Sequence, residues 1–221
     1  MNVQWFGQST FRLTDDDGHS VVIDPFDASV FEARGMPWYP ALEDVTADLL
    51  LVTHEHGDHN AVDAVGGDPA IVRSLAGTHE TPLGPVVGVA SEHDEVAGTQ
   101  RGHNVMYVFD FGGRRVAHLG DLGQRELRGE QAAALGTVDV LIVPVGGGPT
   151  IGAEQATDVA ATLSARVIVP MHYRTERIAF LEPVDAFAAA ARRVARLDTP
   201  SFAVDEVAGE DGPVVVIPAA P

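Results

Sequence analysis

The feature that most constrains the fold is an apolar segment that leads directly into a group of histidines. Residues 47–52 end in Leu49-Leu50-Leu51-Val52 and predict a buried strand. Thr53 follows, and then comes the histidine loop, which we define as His54-Glu55-His56-Gly57-Asp58-His59. Sheets of α/β proteins commonly place their sites where strands end. We therefore expect a sheet with this loop at its edge.

The spacing within the histidine loop suits metal binding. His54 and His56 are two residues apart, so on an extended chain both imidazoles lie on one side. Asp58 and His59 are adjacent and point in different directions, and Gly57 allows a tight turn between the two pairs. One loop could thus offer two ligands to one ion and two to a neighbouring ion. The alternative is a solvated polar loop that happens to be rich in histidine.

Short apolar or alternating segments predict strands along most of the chain. The predicted strands are 3–6, 10–13, 20–23, 47–52, 70–72, 85–90, 105–109, 114–119, 138–143, 166–169, 202–204 and 214–217. Helices are predicted at 62–65, 153–163 and 184–197, and a long surface loop at 25–47. Two sheets sandwiched between helices explain this order. We find no linker or repeat, which favours one domain over residues 1–221.

Composition excludes several classes of site and partner. The chain has no cysteine, so any metal must be held by imidazole, carboxylate or water, which suits zinc, iron, manganese, nickel or cobalt. The net charge of -18 comes from 32 acidic residues against 14 basic ones, all arginine. Such a field disfavours a nucleic-acid partner. The acidity itself is consistent with solubility or adaptation to salt.

Targeting signals are not evident in the sequence. The first residues lack the basic and apolar regions of a signal peptide, and no apolar run reaches membrane-spanning length. We therefore expect a cytoplasmic protein with no membrane partner.

A metal site needs more ligands than one loop supplies, and three remote candidates also follow predicted strands. His93 follows the strand 85–90, Asp121 follows 114–119, and His172 follows 166–169. Taken singly, each could be an ordinary surface, core or turn residue. Together with the histidine loop they favour a metal site. His103 competes with His93 for one role, but His93 directly follows a strand whereas His103 lies late in a loop.

This ordered set resembles the metallo-β-lactamase superfamily. The pattern His-x-His-x-Asp-His, a lone histidine, Gly-Asp and a late histidine extends from Trp5 to His172, and Asp24 resembles the family's early structural aspartate. Segments 3–7, 23–26, 118–121 and 144–147 are similar to a small bacterial group of zinc-dependent hydrolases. That group is related to L-ascorbate-6-phosphate lactonase and, more distantly, to N-acyl-phosphatidylethanolamine phospholipase D. Many relatives have histidine where this chain has Gln8.

The resemblance implies a fold, a cofactor and a division of ligands. The fold would be α+β, a four-layer αββα sandwich. Two divalent ions would be bound, zinc first among the candidates, with manganese, nickel or iron as alternatives. The implied ligands are His54, His56 and His93 for the first ion, Asp58, His59 and His172 for the second, and Asp121 as the bridge.

The implied activity is metal-dependent hydrolysis. A hydroxide shared by the two ions would attack the substrate, and Asp58 or Asp121 would steer the proton. His118 is interpreted as core packing or support for the ligands, and His19 and His79 as solvent-facing.

Arginines near the ligands predict a small anionic substrate, such as an ester, lactone or phosphodiester. Arg101, Arg174 and Arg177 lie close in sequence to His93 and His172, and guanidinium groups grip phosphate or carboxylate well. Their pairing with surface carboxylates is an equal alternative.

Further residues are candidates for contacts with substrate or with another subunit. Thr150, just after Gly146-Gly147-Gly148, and Tyr173, next to His172, are further candidates for substrate binding. Phe26, Trp38 and Tyr39 could line a pocket or a subunit contact, which leaves a homo-oligomer open.

Two other functions compete with a small-molecule hydrolase. A ribonuclease of the same superfamily is disfavoured by the charge of -18 and by the short chain. A non-catalytic or redox di-metal module on the same fold is disfavoured because the complete set of hydrolase ligands is present.

Overall fold

Two mixed β-sheets pack face to face in the computed structural model, which describes residues 1–209 and 212–221. The strands are β1 Asn2–Gly7, β2 Thr10–Thr14, β3 Ser20–Ile23, β4 Leu49–Val52, β5 Ala70–Arg73, β6 Gly77–Thr81, β7 Gly84–Glu92, β8 His103–Phe111, β9 Arg114–His118, β10 Val140–Pro144, β11 Val167–Met171, β12 Val194–Arg196, β13 Ser201–Ala203 and β14 Val214–Ile217. The helices are α1 Ala28–Glu32, α2 Gly129–Leu135, α3 Ala153–Thr162, α4 Asp185–Ala190 and α5 Val204–Val207, with a 3-10 turn at Val62–Ala64.

Apolar side chains of both sheets form one core between them. The first sheet has the order β13-β1-β2-β3-β4-β5, and the second has the order β12-β14-β11-β10-β9-β8-β7-β6. Trp5, Phe11 and Leu51 of the first sheet belong to the same buried cluster as Leu141 and Val169 of the second. The two sheets are therefore stabilised mainly by the apolar area that they remove from water.

The longest helix covers the outer face of the second sheet. Ala156, Val159 and Ala160 of α3 are buried, and their spacing of three and four residues places them on one side of the helix. α3 lies against β10 and α4. The expected α+β sandwich of two sheets between helices is confirmed.

The strand directions bring four chain segments to one edge. β3, β4 and β5 are parallel to one another. β9, β10 and β11 are also parallel, and β7 has the same direction because both β7 and β9 pair antiparallel with β8. The carboxyl ends of β4, β7, β9 and β11 lead to the histidine loop, His93, Asp121 and His172.

Two sequence predictions about the fold are wrong in part. The helix predicted over 184–197 ends at Ala190, and β12 follows as an edge strand that pairs in parallel with β14. Pairing with β14 here overrides the helical preference of an alanine-rich segment. The loop predicted at 25–47 contains α1, and its aromatic residues are buried rather than on the surface.

Those aromatic residues form a second apolar cluster. Phe26, Trp38 and Tyr39 pack with Phe31 of α1 and with Ile178 and Leu181 of the chain after β11. The rings of Phe31 and Trp38 are stacked with centroids 3.7 Å apart. This cluster buries Phe26, Trp38 and Tyr39 within the chain, so they offer little exposed surface for a subunit contact, and their lining of a pocket stays a prediction.

Three further elements of the fold were not predicted from the sequence. These are β6, α2 and α5. Among the described residues, no helix combines the length and the apolar character needed to cross a bilayer.

Candidate metal centre

Four imidazoles converge on one carboxylate oxygen at the shared edge of the sheets. The Oδ2 atom of Asp121 lies 3.2 Å from His93 Nε2, 3.3 Å from His172 Nε2 and 3.4 Å from His59 Nε2. His54 Nε2 lies 4.0 Å from the same oxygen. All five side chains are buried. The structure thus brings together residues that are up to 118 positions apart in the sequence, the separation of His54 and His172 (172 − 54).

The donor atoms fit a divalent ion. His54 Nε2 and His56 Nδ1 lie 3.0 Å apart, and His59 Nε2 is buried with no hydrogen-bond partner. The ligand atoms of His54, His56 and His93 lie within 4.8 Å of one another, and so do those of His54, His59 and Asp121. Imidazole nitrogen and carboxylate oxygen are the ligands that zinc and related metals prefer.

Burial and charge leave the side chains around Asp121 able to bind a cation. Burial, with the positive charge of His59, lowers the pKa of His54 to about 2, so this imidazole is neutral and its lone pair is available. Burial opposes ionisation of Asp121, but His172 and His59 hold the pKa of its carboxyl well below the usual range. Burial also opposes protonation of His59, yet Asp121, Asp58 and Asp24 raise its pKa well above the usual value. Three carboxylates around one imidazole create a demand for positive charge.

Hydrogen bonds fix which nitrogen of each histidine is free. Thr53 Oγ1 donates to Asp24 Oδ2 at 2.7 Å, so it accepts from His54 Nδ1, 3.0 Å away. His59 Nδ1 donates to Asp24 Oδ2 at 2.9 Å, and His93 Nδ1 donates to the carbonyl oxygen of Pro149 at 3.0 Å. Nε2 of each ring is left for a metal, as histidine ligands require.

Asp24 is the centre of this supporting network. It is fully buried at the end of β3, and its Oδ1 accepts from the backbone N–H of Thr53 at 2.7 Å. Its Oδ2 accepts from the Thr53 hydroxyl and from His59. The carboxylate therefore ties the first sheet to the start of the histidine loop, consistent with the structural role that the resemblance implied.

Glu55 holds the outer side of the histidine loop. Its carboxylate accepts from Arg73 Nε at 2.8 Å and Nη2 at 2.6 Å, from Ser74 Oγ at 2.9 Å and from Asn60 Nδ2 at 3.2 Å. These bonds, with Arg73 foremost, lower the pKa of Glu55 to about 2. Sequence reasoning missed this role because Arg73, at the end of the next strand β5, and Ser74, directly after it, are distant from Glu55 in sequence.

Asp121 also has a support that the sequence analysis missed. Ser9 Oγ donates to Asp121 Oδ1 at 3.3 Å, and the N–H of Asp121 donates to Asn104 Oδ1 at 3.0 Å. His118 is buried, accepts from the N–H of Gly120 and donates from Nε2 to the carbonyl oxygen of Ser9 at 3.0 Å. His118 is therefore a neutral group that links Gly120, next to Asp121, to Ser9, in agreement with its interpretation as support.

The structure separates the competing histidines. His93 is buried beside Asp121, whereas His103 is exposed on β8. The segment after His93 is ordered by Asp94, whose carboxylate accepts from the N–H groups of Val96, Gly98, Gln100 and Arg101. Although burial acts against it, these donors lower the pKa of Asp94 to about 2. His19 is exposed and His79 is half-buried.

The four candidate substrate residues lie outside the ligand cluster. Arg101 and Arg174 are exposed, and Arg174 Nε donates to the carbonyl oxygen of Leu181 at 2.6 Å. Tyr173 is buried with its ring 5.4 Å from that of Trp5. Thr150 is buried, and its hydroxyl lies 3.3 Å from the carbonyl oxygen of Ile151. Their roles in substrate binding stay predictions.

Three arginines form no ion pair within the described part of the chain: Arg101, Arg174 and Arg177. Arg174 and Arg177 line a cleft of about 460 Å³ together with Arg196, which itself pairs with Asp185 Oδ1 at 2.9 Å. The geometry therefore gives no support to the alternative that Arg101, Arg174 and Arg177 pair with surface carboxylates.

Comparison with known proteins decides the family. Residues 2–172 match the model of the beta-lactamase superfamily domain. The chain belongs to the metallo-β-lactamase superfamily. A UPF0173 metal-dependent hydrolase of Heliobacterium modesticaldum is 32% identical over 208 residues, which cover 79% of this chain and 83% of that protein. One from Thermus thermophilus is 30% identical over 202 residues, covering 79% and 84%.

Solved structures of the superfamily agree. A protein from Thermotoga maritima, assigned to the zinc-dependent hydrolases of the metallo-β-lactamase superfamily, has a TM-score of 0.78 and 34% identity, covering 98% of this chain and 97% of that one. Human tRNase Z, short form, shares the fold alone, at 12% identity and a TM-score of 0.54, covering 79% of this chain and 93% of that one. The predicted superfamily and the class of metal-dependent hydrolase are confirmed. The relation to the lactonase stays a prediction.

Proposed function

We propose that this chain binds two divalent ions, zinc first among the candidates, and hydrolyses a small anionic ester, lactone or phosphodiester. The observation that carries the proposal is the approach of four imidazole nitrogens to within 4.0 Å of Asp121 Oδ2. His54, His56 and His93 would hold one ion, Asp58, His59 and His172 the other, and Asp121 both. Such ions lower the pKa of a coordinated water towards about 7 and polarise the oxygen of the substrate.

Asp58 and Asp121 differ in solvent exposure, and this difference favours separate roles for them in catalysis. The side chain of Asp121 is 3% exposed, and its Oδ1 is engaged by Ser9 Oγ, so it can orient groups but not exchange protons with solvent. The side chain of Asp58 is 24% exposed, and its Oδ2 lies 3.5 Å from His59 Nε2. Asp58 is therefore the carboxylate that can take a proton from the attacking water and pass it to solvent.

The substrate class rests on charge. In a chain of net charge -18, Arg174 and Arg177 present cationic groups in this cleft, at the same sheet edge as the metal centre. Arg196 also lines the cleft but pairs with Asp185, and Glu176 adds one carboxylate. Guanidinium groups bind phosphate and carboxylate through paired hydrogen bonds. A small anion can approach this cleft, whereas the overall field opposes a polyanion such as RNA.

The direct test combines metal analysis with a substrate panel. Purified protein would be analysed for bound metal and, after loading with zinc, manganese or nickel, assayed on phosphodiesters, lactones and neutral esters. We expect about two equivalents of metal and hydrolysis of anionic substrates. Asp121→Asn should lose activity to near background, whereas His103→Ala, which alters an exposed histidine, should retain it. A protein that binds no ion and gains no activity from any of them would refute the proposal.

The arginine cleft has its own test. Arg174→Ala should raise KM for an anionic substrate about tenfold, which corresponds to roughly 1.4 kcal/mol of lost charge-assisted hydrogen bonding. Arg114→Ala, an arginine at the start of β9 on the opposite sheet edge, should leave KM unchanged. Equal effects of the two variants would show that the cleft does not recognise the substrate.

A further inference from the structure

The histidines around Asp121 are supported unequally. His54, His59 and His93 each have a hydrogen-bond acceptor at Nδ1, namely a hydroxyl, a carboxylate and a backbone carbonyl. His172 faces Asp121 through Nε2 in the same way, but its Nδ1 is buried with no partner. A metal-bound histidine almost always donates its second ring N–H to an acceptor. One acceptor is therefore missing from the set.

Gln8 offers an acceptor that is also without a partner. Its side chain is 1% exposed, and its Oε1 is buried and makes no hydrogen bond. Its backbone carbonyl accepts from the N–H of His172 at 3.3 Å, so the two residues are direct neighbours. A buried carboxamide without a partner costs free energy, and such groups in a native structure call for an explanation.

The backbone around this pair is constrained. His172 has φ +50° and Gln8 has φ +49°, both in the left-handed region that non-glycine residues seldom adopt. Gly146 packs so closely on the carbonyl group of His172 that a Cβ there would overlap it. The backbone of His172 is therefore held in place, and a rotation of the side chains is what remains to bring His172 Nδ1 and Gln8 Oε1 together.

We propose that Gln8 is a positioning residue whose carboxamide oxygen accepts a hydrogen bond from His172 Nδ1–H in the metal-loaded protein. This bond would fix the ring so that Nε2 faces the ion, as Thr53, Asp24 and Pro149 do for the other three histidines. The inference rests on the proposed metal centre and adds to it the support for His172.

One other buried donor near this part of the fold could compete for Gln8. The indole Nε1 of Trp38 is also buried and without a partner, and Trp38 packs beside Tyr39. A ring atom of Tyr39 lies where a Cβ on Gly7 would be, so this cluster adjoins Gln8 as well. His172 is favoured because its backbone already bonds that of Gln8 and because its need for an acceptor follows from metal binding.

The test compares two substitutions of similar size. Gln8→Met removes the acceptor oxygen, and Gln8→Glu keeps one. Zinc and cobalt binding would be measured by calorimetry with a competing chelator. We expect Gln8→Met to weaken one of the two ions by about 10–100-fold, and Gln8→Glu to remain near wild type. Gln131→Met is the matched control, since Gln131 is a buried carboxamide that bonds Ala90 and Gln124 instead of a ligand.

A spectroscopic readout distinguishes positioning from general stability. In zinc-loaded wild-type protein labelled with 15N-histidine, His172 Nδ1 should carry a slowly exchanging, hydrogen-bonded proton, and Gln8→Met should lose that signal. Even if Gln8→Met fails to fold, the absence of this signal in wild-type protein overturns the inference.

Three results would overturn the inference. These are unchanged binding of both ions by Gln8→Met, no hydrogen-bonded proton on His172 Nδ1 in the loaded wild type, or the same loss of ion binding in Trp38→Phe. Wild-type protein that binds no ion would instead refute the metal centre itself, so the two failures are distinguishable.

Discussion

The histidine loop on the first sheet and His172 on the second sheet are held in different ways. On the first sheet, the loop after β4 is fixed by side chains, because Asp24 binds Thr53 and His59 from within and Arg73 binds Glu55 from outside. On the second sheet, His172 after β11 is held by left-handed backbone and by the close approach of Gly146. One side is ordered by hydrogen bonds that exist without a metal, and the other by steric fit that leaves a polar atom unpaired.

The difference predicts which side depends on the ion. A site made of satisfied hydrogen bonds stays in place when its ligand leaves, whereas a strained site needs binding energy to offset its cost. The histidine loop, which we call the first-sheet side, should therefore be nearly preformed, and His172 with the residues directly after it, which we call the second-sheet side, should gain most of its order from the metal.

Removing Asp24 should have the largest effect. Asp24→Ala leaves the N–H and hydroxyl of Thr53 and Nδ1 of His59 without acceptors in a buried place. Each such loss costs about 1–3 kcal/mol, so we expect the free energy of unfolding to fall by roughly 3 kcal/mol or more. Urea denaturation of metal-free protein measures it. Asp63→Ala, an exposed aspartate in the same sheet region, should change stability by no more than about 0.5 kcal/mol. Similar midpoints for the two variants would contradict the assigned role of Asp24.

Metal removal should have the second-largest effect on stability, and it should affect the two sides unequally. Ions at about 100 times their dissociation constant stabilise the folded state by roughly 2.7 kcal/mol, which a chelator would remove. Hydrogen exchange should then accelerate mainly at residues 172–174, while the amides of Thr53 and Asp24, whose bonds need no metal, remain protected. Equal loss of protection on both sides would remove the proposed difference between them.

The convergence of the candidate ligands could be predicted from sequence more readily than the residues that support them. Each of His54, His93, Asp121 and His172 follows a strand signal, and strand direction alone brings such positions to one edge. The supports depend on contacts between residues distant in sequence. Ser9 reaches Asp121 across 112 positions, and nothing local to serine marks that contact.

The missed elements have a similar cause. The strand β12 lies in a segment whose composition favours a helix, and only its pairing with β14 determines its conformation. The buried aromatic residues after β3 appeared as a surface loop because their partners, Ile178 and Leu181, are contributed by a segment more than a hundred residues away. Local sequence signals cannot encode such partners.

Filling the space at Gly146 should disturb the second-sheet side alone. A Cβ at this position would overlap the carbonyl oxygen of His172 and lie 2.8 Å from Tyr173 Cα, and neither backbone atom can move easily. We expect Gly146→Ala to cost about 1–3 kcal/mol, as overpacking does, and to weaken metal binding. Gly129→Ala is the matched control, because nothing lies within 4 Å of its added Cβ and alanine favours the helix α2. Full metal affinity in Gly146→Ala would show that steric fit does not position His172.

Loss of Glu55 should have the smallest effect on stability and a selective effect on motion. Glu55 and Arg73 are largely exposed, so their pair contributes about 1 kcal/mol or less after solvent screening. Glu55→Ala should therefore barely change the unfolding midpoint, yet faster hydrogen exchange of the amides at 55–60 should show that the histidine loop has lost its outer attachment.

The control for Glu55 separates this attachment from a general surface effect. Glu95 forms a similar exposed pair with Arg125, at 2.8 Å, in the segment that Asp94 already orders. Glu95→Ala should change neither the midpoint nor exchange in the histidine loop. If the two variants behaved alike, the hydrogen bonds of Asp24 alone would suffice to order the first-sheet side, and the contrast with His172 would rest on one carboxylate rather than two.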